Sequence, residues 1–360
     1  MIKMIYQVLP TLSYGDAVGN HAMAISRLLR ANGYANEIYA EHIHPKCALF
    51  CQPFAAFADR VRPFDTVIYH LSTGSPMTYW FKHLTCRKIL IYHNITPSEY
   101  LEKYNPGAAE LTRSGRQGLR DLAGSVDLCI ADSQYNANEL LDIGYKNVHV
   151  IPILISFNDY YMPADYKTLR TLDDGKMNIL FVGRIAPNKR QEDVISTFYE
   201  YHRYFNSNSR LILAGSDTGM ERYSDQLKKY ISALEIKDDV IFSGHVNFSH
   251  ILAYYNVADA FLCMSEHEGF CVPLVESMLF DLPIFARSCG AVPDTLDESG
   301  ILFKERNFHK IAAVMNFILT HPVQRNILLQ AQRDQLKKYN NDTVEKALLS
   351  CISEFLKEII

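Results

Sequence analysis

The chain has 360 residues, of which 48% are hydrophobic, enough for two α/β domains that each bury a core of their own. Its formal net charge of −4 excludes a wholesale electrostatic attraction to nucleic acid. Eight cysteines, at positions 47, 51, 86, 129, 263, 271, 289 and 351, form no Cys-x-x-Cys pair; several lie inside apolar runs and read as buried, reduced thiols of a cytosolic protein, not as zinc ligands.

The first half alternates apolar runs with longer amphipathic segments. Met4 to Leu9, Thr66 to Tyr69, Ile89 to Tyr92, Leu128 to Ala131 and Val148 to Ile153 have strand length, and their alternation with helical segments is that of a parallel sheet covered on both faces. After the first run comes Ser13-Tyr-Gly-Asp-Ala-Val-Gly-Asn-His21, a glycine-bearing loop before a helix that begins near Val18. It lacks the full dinucleotide spacing, and Asp16 serves equally well as an ordinary helix cap. His70 and the Ser72-Thr-Gly-Ser75 loop follow the second run, and His93 ends the third within Ile91-Tyr-His-Asn-Ile-Thr-Pro97. A lone histidine at a strand end reads either as a satisfied structural residue or as a functional one. Asp132-Ser133 ends the fourth run, where Ser133 suits an N-cap for a helix at Gln134 to Leu141. The periodicity breaks between Ser156 and Gly175. The expected division is a first Rossmann-like domain at 1–160, a second Rossmann-like domain at 176–335, and a closing helical segment at 336–360.

The second half carries the chemistry. The run Ile179 to Val182 ends in Gly183-Arg184, and a loop containing Pro187 delivers Lys189. A guanidinium that can bind bidentately and an ammonium point charge, both at a strand's carboxyl end, suit a diphosphate. Further on, Asp259 to Met264 has the length of a buried strand and leads into Ser265-Glu-His-Glu-Gly-Phe-Cys-Val-Pro-Leu-Val-Glu276. Ligands of open α/β sheets collect at such carboxyl ends. Pro273 suits the first turn of a helix, whose free N–H groups favour an anion. Glu276, about one turn later, can accept from vicinal hydroxyls as acidic residues do from ribose. His267, in the same loop, either touches a donor sugar or is exposed.

Taken in order, these segments resemble the retaining glycosyltransferases of family 4. In that family the carboxy-terminal domain opens with strand-Gly-x-Arg-x-x-x-x-Lys and later carries Glu-Gly-Phe-Gly-x-x-x-x-Glu. Here the corresponding residues are Gly183, Arg184 and Lys189, with Arg184 directly after Gly183 where the pattern has one residue between them, then Glu268, Gly269, Phe270, Cys271 and Glu276. Leu211 to Gly215 and Val240 to Val246 resemble the family's second and third strands. Cys271 departs from the pattern: it stands where the family has glycine, so the backbone there approaches the donor less closely while its amide N–H is kept. The resemblance implies a GT-B fold, with two doubly wound Rossmann-like domains facing across a cleft: 1–160 as the acceptor domain, 176–335 as the nucleotide-sugar donor domain, and 336–360 as a helix crossing back onto the first. It also implies donor contacts from Gly15, Gly183, Arg184, Lys189, Gly215, Gly244, His267, Glu268, Gly269, Phe270, Cys271, Val272 and Glu276, and a catalytic set of Glu268, His93, Arg184 and Lys189.

The implied reaction moves a hexose from a nucleoside diphosphate sugar to an acceptor hydroxyl with its anomeric configuration kept. Arg184, Lys189 and the helix amides after Phe270 would stabilise charge on the departing diphosphate; Glu268 would position the donor and Glu276 the ribose. No carboxylate is placed as a covalent nucleophile, which favours a front-face route over the two-carboxylate scheme. The sequence has no Asp-x-Asp dyad and calls for no cofactor and no metal; Asp294 and Asp297 sit in a Pro-containing turn. The first-half segments look most like bacterial O-antigen and polysaccharide mannosyl- or rhamnosyltransferases, favouring a GDP-sugar over a UDP-sugar and a glycan or lipid-linked oligosaccharide as acceptor, in lipopolysaccharide or related surface polysaccharide synthesis. A sugar-nucleotide isomerase on the same fold and an inactive nucleotide-sugar binder are the alternatives. Apolar runs fall short of the ~18 residues of a membrane span, and Met1 to Pro10 is too short for a cleavable signal. The expected location is cytoplasmic, with room for peripheral contact at the inner face of the membrane.

Overall fold

The computed structural model describes residues 3–13, 15–57 and 59–357. Met1 of the opening segment, Tyr14 of the glycine-bearing loop and residues 358–360 of the closing one lie outside them. The chain divides into two compact units: one holds residues 1–98, 107–157 and 339–360, the other 99–106 and 158–338.

The first unit is a parallel sheet of seven strands. In chain order they are β1 (Ile5–Leu12), β2 (Asn36–Ile43), β3 (Gln52–Pro53), β4 (Thr66–Leu71), β5 (Arg87–Tyr92), β6 (Leu128–Ala131) and β7 (Val148–Val150), and in space the order is β3-β2-β1-β4-β5-β6-β7. Every residue of β4 and β6 is buried, as expected of strands covered on both faces. Between strands run α1 (Ala17–Ala31), α2 (Met77–His83), α3 (Pro106–Leu122) and α4 (Gln134–Ile143). Asp16 caps α1 by accepting from the Gly19 N–H, and Ser133 caps α4 by accepting from the Asn136 N–H. Sequence reading did not anticipate β2, because its polar Asn36, Glu37, Glu41 and His42 interrupt the apolar run; it lies next to the short edge strand β3 and is only partly covered.

The second unit is a parallel sheet of six strands: β8 (Met177–Val182), β9 (Ser209–Ala214), β10 (Val240–Gly244), β11 (Ala260–Cys263), β12 (Ile284–Arg287) and β13 (Ile301–Phe303). Its helices are α5 (Tyr166–Leu172), α6 (Gln191–Tyr204), α7 (Glu221–Ala233), α8 (Phe248–Val257), α9 (Val272–Leu279), α10 (Val292–Leu296), α11 (Phe308–Thr320) and α12 (Pro322–Leu336). The spatial order β10-β9-β8-β11-β12-β13 reverses direction between β8 and β11, so the loops leaving those two strands flank the crevice where such sheets bind ligands. The last helix, α13 (Asn341–Lys357), belongs to the first unit. Its buried Val344, Leu348, Ile352 and Phe355 join a core cluster with Ile5, Ile25, Leu29, Ile68 and Ile89, and the Arg87 guanidinium lies 3.7 Å above the Phe355 ring.

Candidate functional site

In the second unit the carboxyl ends of β8 and β11 are laced together. Lys189, in a short turn after β8, places its ammonium 2.6 Å from a Glu268 carboxylate oxygen. The Asn188 amide donates to the His267 carbonyl at 3.2 Å, and the Glu266 N–H donates to the Asn188 carbonyl at 2.8 Å. Burial works to lower the Lys189 pKa, but the Glu268 charge and hydrogen bond outweigh it and leave the ammonium favoured. Glu268 is itself buried, so this cation and anion neutralise each other. Arg184 is exposed and donates to the Thr218 carbonyl at 3.0 Å. Gly183 and Gly215 pack so closely that a Cβ on Gly215 would collide with the Gly183 carbonyl. Gly244 ends β10 at φ +63° and bridges to Gly215.

Cys271 has φ +72°, the left-handed region that glycine enters without steric cost. That backbone is what the glycine in the resembling family would supply, and here a cysteine adopts it. Val272 and Pro273 then open α9. The Phe270 carbonyl accepts from the Thr295 hydroxyl at 2.6 Å, and the Glu268 carbonyl accepts from the Ala291 N–H at 2.9 Å. Gly290 permits the second contact: at φ +56°, a Cβ there would lie 2.6 Å from the Glu268 carbonyl oxygen. Sequence reading passed over Asn188 and Gly290, because neither carries a charge; Asn188 fills a variable position between Arg184 and Lys189, and Gly290 falls in no motif.

Glu276 accepts from two phenols, Tyr160 and Tyr255, each at 2.5 Å. Burial pushes its carboxyl above the ordinary range, against the two hydrogen bonds, which act to lower it. Tyr160 falls in the segment taken from the sequence as an interdomain break; its signal was the paired aromatics Tyr160-Tyr161 inside an otherwise polar run. His267 is buried, its ring centroid 6.3 Å from that of Tyr100. The Cys263 and Cys271 thiols and Glu268 bring ligand atoms within 4.8 Å of one another; the Cys271 hydrogen bond holds the Cys263 thiol low, while Cys271 itself is pushed well up.

In the first unit the carboxyl ends of β4, β5 and β6, with Gln7 from within β1, gather a second group. His93 sits with Nδ1 2.7 Å from an Asp132 carboxylate oxygen and Nε2 3.0 Å from His70 Nδ1. His70 Nε2 lies 2.9 Å from Gln7 Oε1. Both ring nitrogens of His93 are therefore engaged by the protein. His21, from α1, packs edge-on 5.4 Å from His93, and neither of its buried nitrogens has a hydrogen-bond partner among the described residues. Burial first, and the His93 charge next, hold His21 and His70 well below the ordinary imidazole range. Gln7 and His21 escaped sequence reading, since a glutamine within a strand and a histidine within a helix have no motif of their own. Gly15 is exposed at φ +78°, just before the Asp16 cap. In the neighbouring Ser72 to Ser75 loop, the Ser75 hydroxyl donates to Glu41 at 2.6 Å.

Two parallel doubly wound sheets of this strand order define the GT-B fold, as the sequence resemblance implied. The structure of Anabaena HepE in complex with UDP and glucose superposes with a TM-score of 0.78 at 15% identity, covering 98% of this chain and 100% of that one. Residues 167–341, just under half of the chain, match the family Glycosyl transferases group 1. The chain is 28% identical over 176 residues to the alpha-monoglucosyldiacylglycerol synthase of Streptococcus pneumoniae, covering 47% of this chain and 39% of that protein. It is 23% identical over 240 residues to the GDP-mannose-dependent alpha-mannosyltransferase of Mycolicibacterium smegmatis, covering 65% and 59%. The chain thus spans about half the length of the curated relatives it matches. Among the described residues no helix is long and apolar enough to cross a membrane.

Proposed function

We propose that the protein is a retaining glycosyltransferase that moves a hexose from a nucleoside diphosphate sugar to a hydroxyl of a glycan or lipid-linked oligosaccharide in surface polysaccharide synthesis. The observation that carries this reading is the Lys189–Glu268 pair at 2.6 Å across the β8/β11 reversal, within the residues that match the Glycosyl transferases group 1 family. In this reading the donor diphosphate meets Arg184, Lys189 and the first N–H groups of α9, where a helix start favours an anion. Lys189 turns from Glu268 toward the phosphate as negative charge builds on it, and Glu268 is released to position the sugar. Glu276, held by Tyr160 and Tyr255, keeps lone pairs for the ribose hydroxyls. His93 serves the sugar only by exchanging its His70 contact for a substrate hydroxyl. A GDP-sugar, with mannose or a deoxyhexose as its hexose, is the favoured donor; the name of the mycolicibacterial relative supports it.

Thermal melts of the purified protein with UDP, GDP, ADP, TDP and CDP, alongside Arg184→Ala and Glu276→Ala, test this. Ligand at ~100 times its Kd stabilises by about 2.7 kcal/mol, so GDP raises the Tm of the native protein and raises neither variant's. A shift with UDP alone replaces the donor class; no shift with any nucleotide overturns the reading. Proton NMR of the product made from an α-linked GDP-sugar then shows an α-glycoside if configuration is kept, while a pure binder makes no product.

A further inference from the structure

Cys263 ends β11 and Cys271 stands just before α9, eight positions apart in the sequence, a spacing that marks no ligand pair by itself. The loop between them turns back on the strand. It brings both thiols and the Glu268 carboxylate to within 4.8 Å of one another, and all three residues are buried, Cys263 at 1% exposure, Glu268 at 6% and Cys271 at 8%. Cys271 holds a left-handed backbone, φ +72°, which a residue with a side chain adopts only at a cost, and strain of that kind gathers at functional positions. Here the strained residue supplies one of the two sulfurs.

Two thiols beside a carboxylate are donors for a borderline-soft divalent cation: sulfur selects ions of the zinc class, whereas magnesium and calcium take oxygen. A tetrahedral zinc with bonds of about 2.3 Å to sulfur and about 2.0–2.2 Å to oxygen spans ligand edges of roughly 3.6–3.8 Å, so side-chain rotations of about 1 Å close the set round an ion. Charge also balances. Lys189 pairs with one oxygen of Glu268 at 2.6 Å, leaving the other to turn to the cation. Binding releases one proton from each thiol. Two thiolates, the carboxylate, the ammonium and the divalent ion are then neutral together, as the thiols, carboxylate and ammonium were before, and a buried set pays heavily for any net charge. We propose that Cys263, Cys271 and Glu268 form a binding site for a divalent cation of the zinc class, and that its occupation shuts the donor site by fixing Glu268 and its partner Lys189. Three protein ligands leave the fourth position to water. The cation site stands apart from the sugar-transfer reading; the shutting rests on that reading.

Cobalt, which takes zinc's place in tetrahedral sites and absorbs visibly there, is the probe. The whole chain, reduced with a phosphine and freed of metal, is titrated with Co2+. The expected result is one tightly bound ion per chain, with tetrahedral visible bands and thiolate-to-cobalt charge transfer, both abolished by an equivalent of Zn2+. Cys271→Gly and Cys263→Ser each lose a sulfur, and affinity falls by more than the roughly 10–100-fold that the loss of an outer partner costs; Cys51→Ser, in the other unit, leaves the spectrum as it was. No cobalt spectrum in the native protein overturns the proposal, as does one that survives Cys271→Gly with its affinity unchanged. Should Cys271→Gly fail to fold by circular dichroism, Cys263→Ser decides between the same two results. With zinc loaded and the excess removed, the GDP-induced rise in Tm disappears in the native protein and persists in Cys271→Gly treated alike; a rise that persists in the zinc-loaded native protein overturns the shutting. If no nucleotide raises the Tm of the metal-free protein, the donor reading and the shutting fall together, while the cobalt spectrum still decides the site.

Discussion

Glu276 combines a buried carboxyl with two phenol donors, and burial wins. Its folded pKa is raised above the unfolded value, so its charge costs stability: the penalty is absent below the ordinary glutamate range and grows as pH rises through the raised value. Glu276→Gln, which keeps an acceptor without the charge, should therefore melt higher than the native protein at pH 7, with the difference closing as the pH is lowered through that window. If Glu276 binds the ribose as proposed, the same variant should lose nucleotide binding, the trade expected of a candidate site residue kept at the expense of stability. Lys189 works in the opposite sense. Lys189→Met leaves the buried Glu268 carboxylate without its cation, and urea denaturation at pH 7 should show a loss of roughly 2–3 kcal/mol, the worth of a hydrogen bond to a charged group. Residues with formal charge and motif spacing, namely Arg184, Lys189, Glu268 and Glu276, were legible from the sequence. Their uncharged supports, Asn188, Tyr160 and Gln7, were not, because an amide or phenol declares its role only through the atom it faces.

The loop from Glu268 to Cys271 is shaped by what it rests on. Gly290→Ala brings a Cβ to 2.6 Å from the Glu268 carbonyl at a backbone of φ +56°, so the loop must shift; nucleotide-induced stabilisation should disappear while the rest of the unit stays folded by circular dichroism. Cys271→Gly tests the reverse: it relieves a left-handed conformation worth roughly 1–2 kcal/mol but removes a buried thiol from the core cluster. The two offset, and stability within about 1 kcal/mol of the native protein is expected, with binding retained. Strands buried on both faces were the most legible elements, since an unbroken apolar run survives any register. β2 was lost because a strand beside a sheet edge needs burial on only part of its length, and its sequence records just that part. On α13, Leu348→Ala should cost about 2–5 kcal/mol by leaving a cavity, read from the urea midpoint.

On the scale of the molecule each unit has a core of its own, and the candidate donor residues other than Gly15 belong to one of them, 158–338. Hydrogen exchange with and without GDP should show protection concentrated at 183–189 and 265–276, while the β1 to β7 sheet exchanges with little change. The other unit is assembled from three stretches of chain, and its last stretch is α13. During synthesis this sheet therefore waits for a helix made long after it. About 180 residues lie between 157 and 341, and at ~5–20 residues per second the apolar face of Ile5, Ile25, Ile68 and Ile89 stays uncovered on the ribosome for roughly 10–40 s. A sheet made early thus waits on a helix made late, and a nascent chain stalled before Asn341 should be the species that chaperones hold.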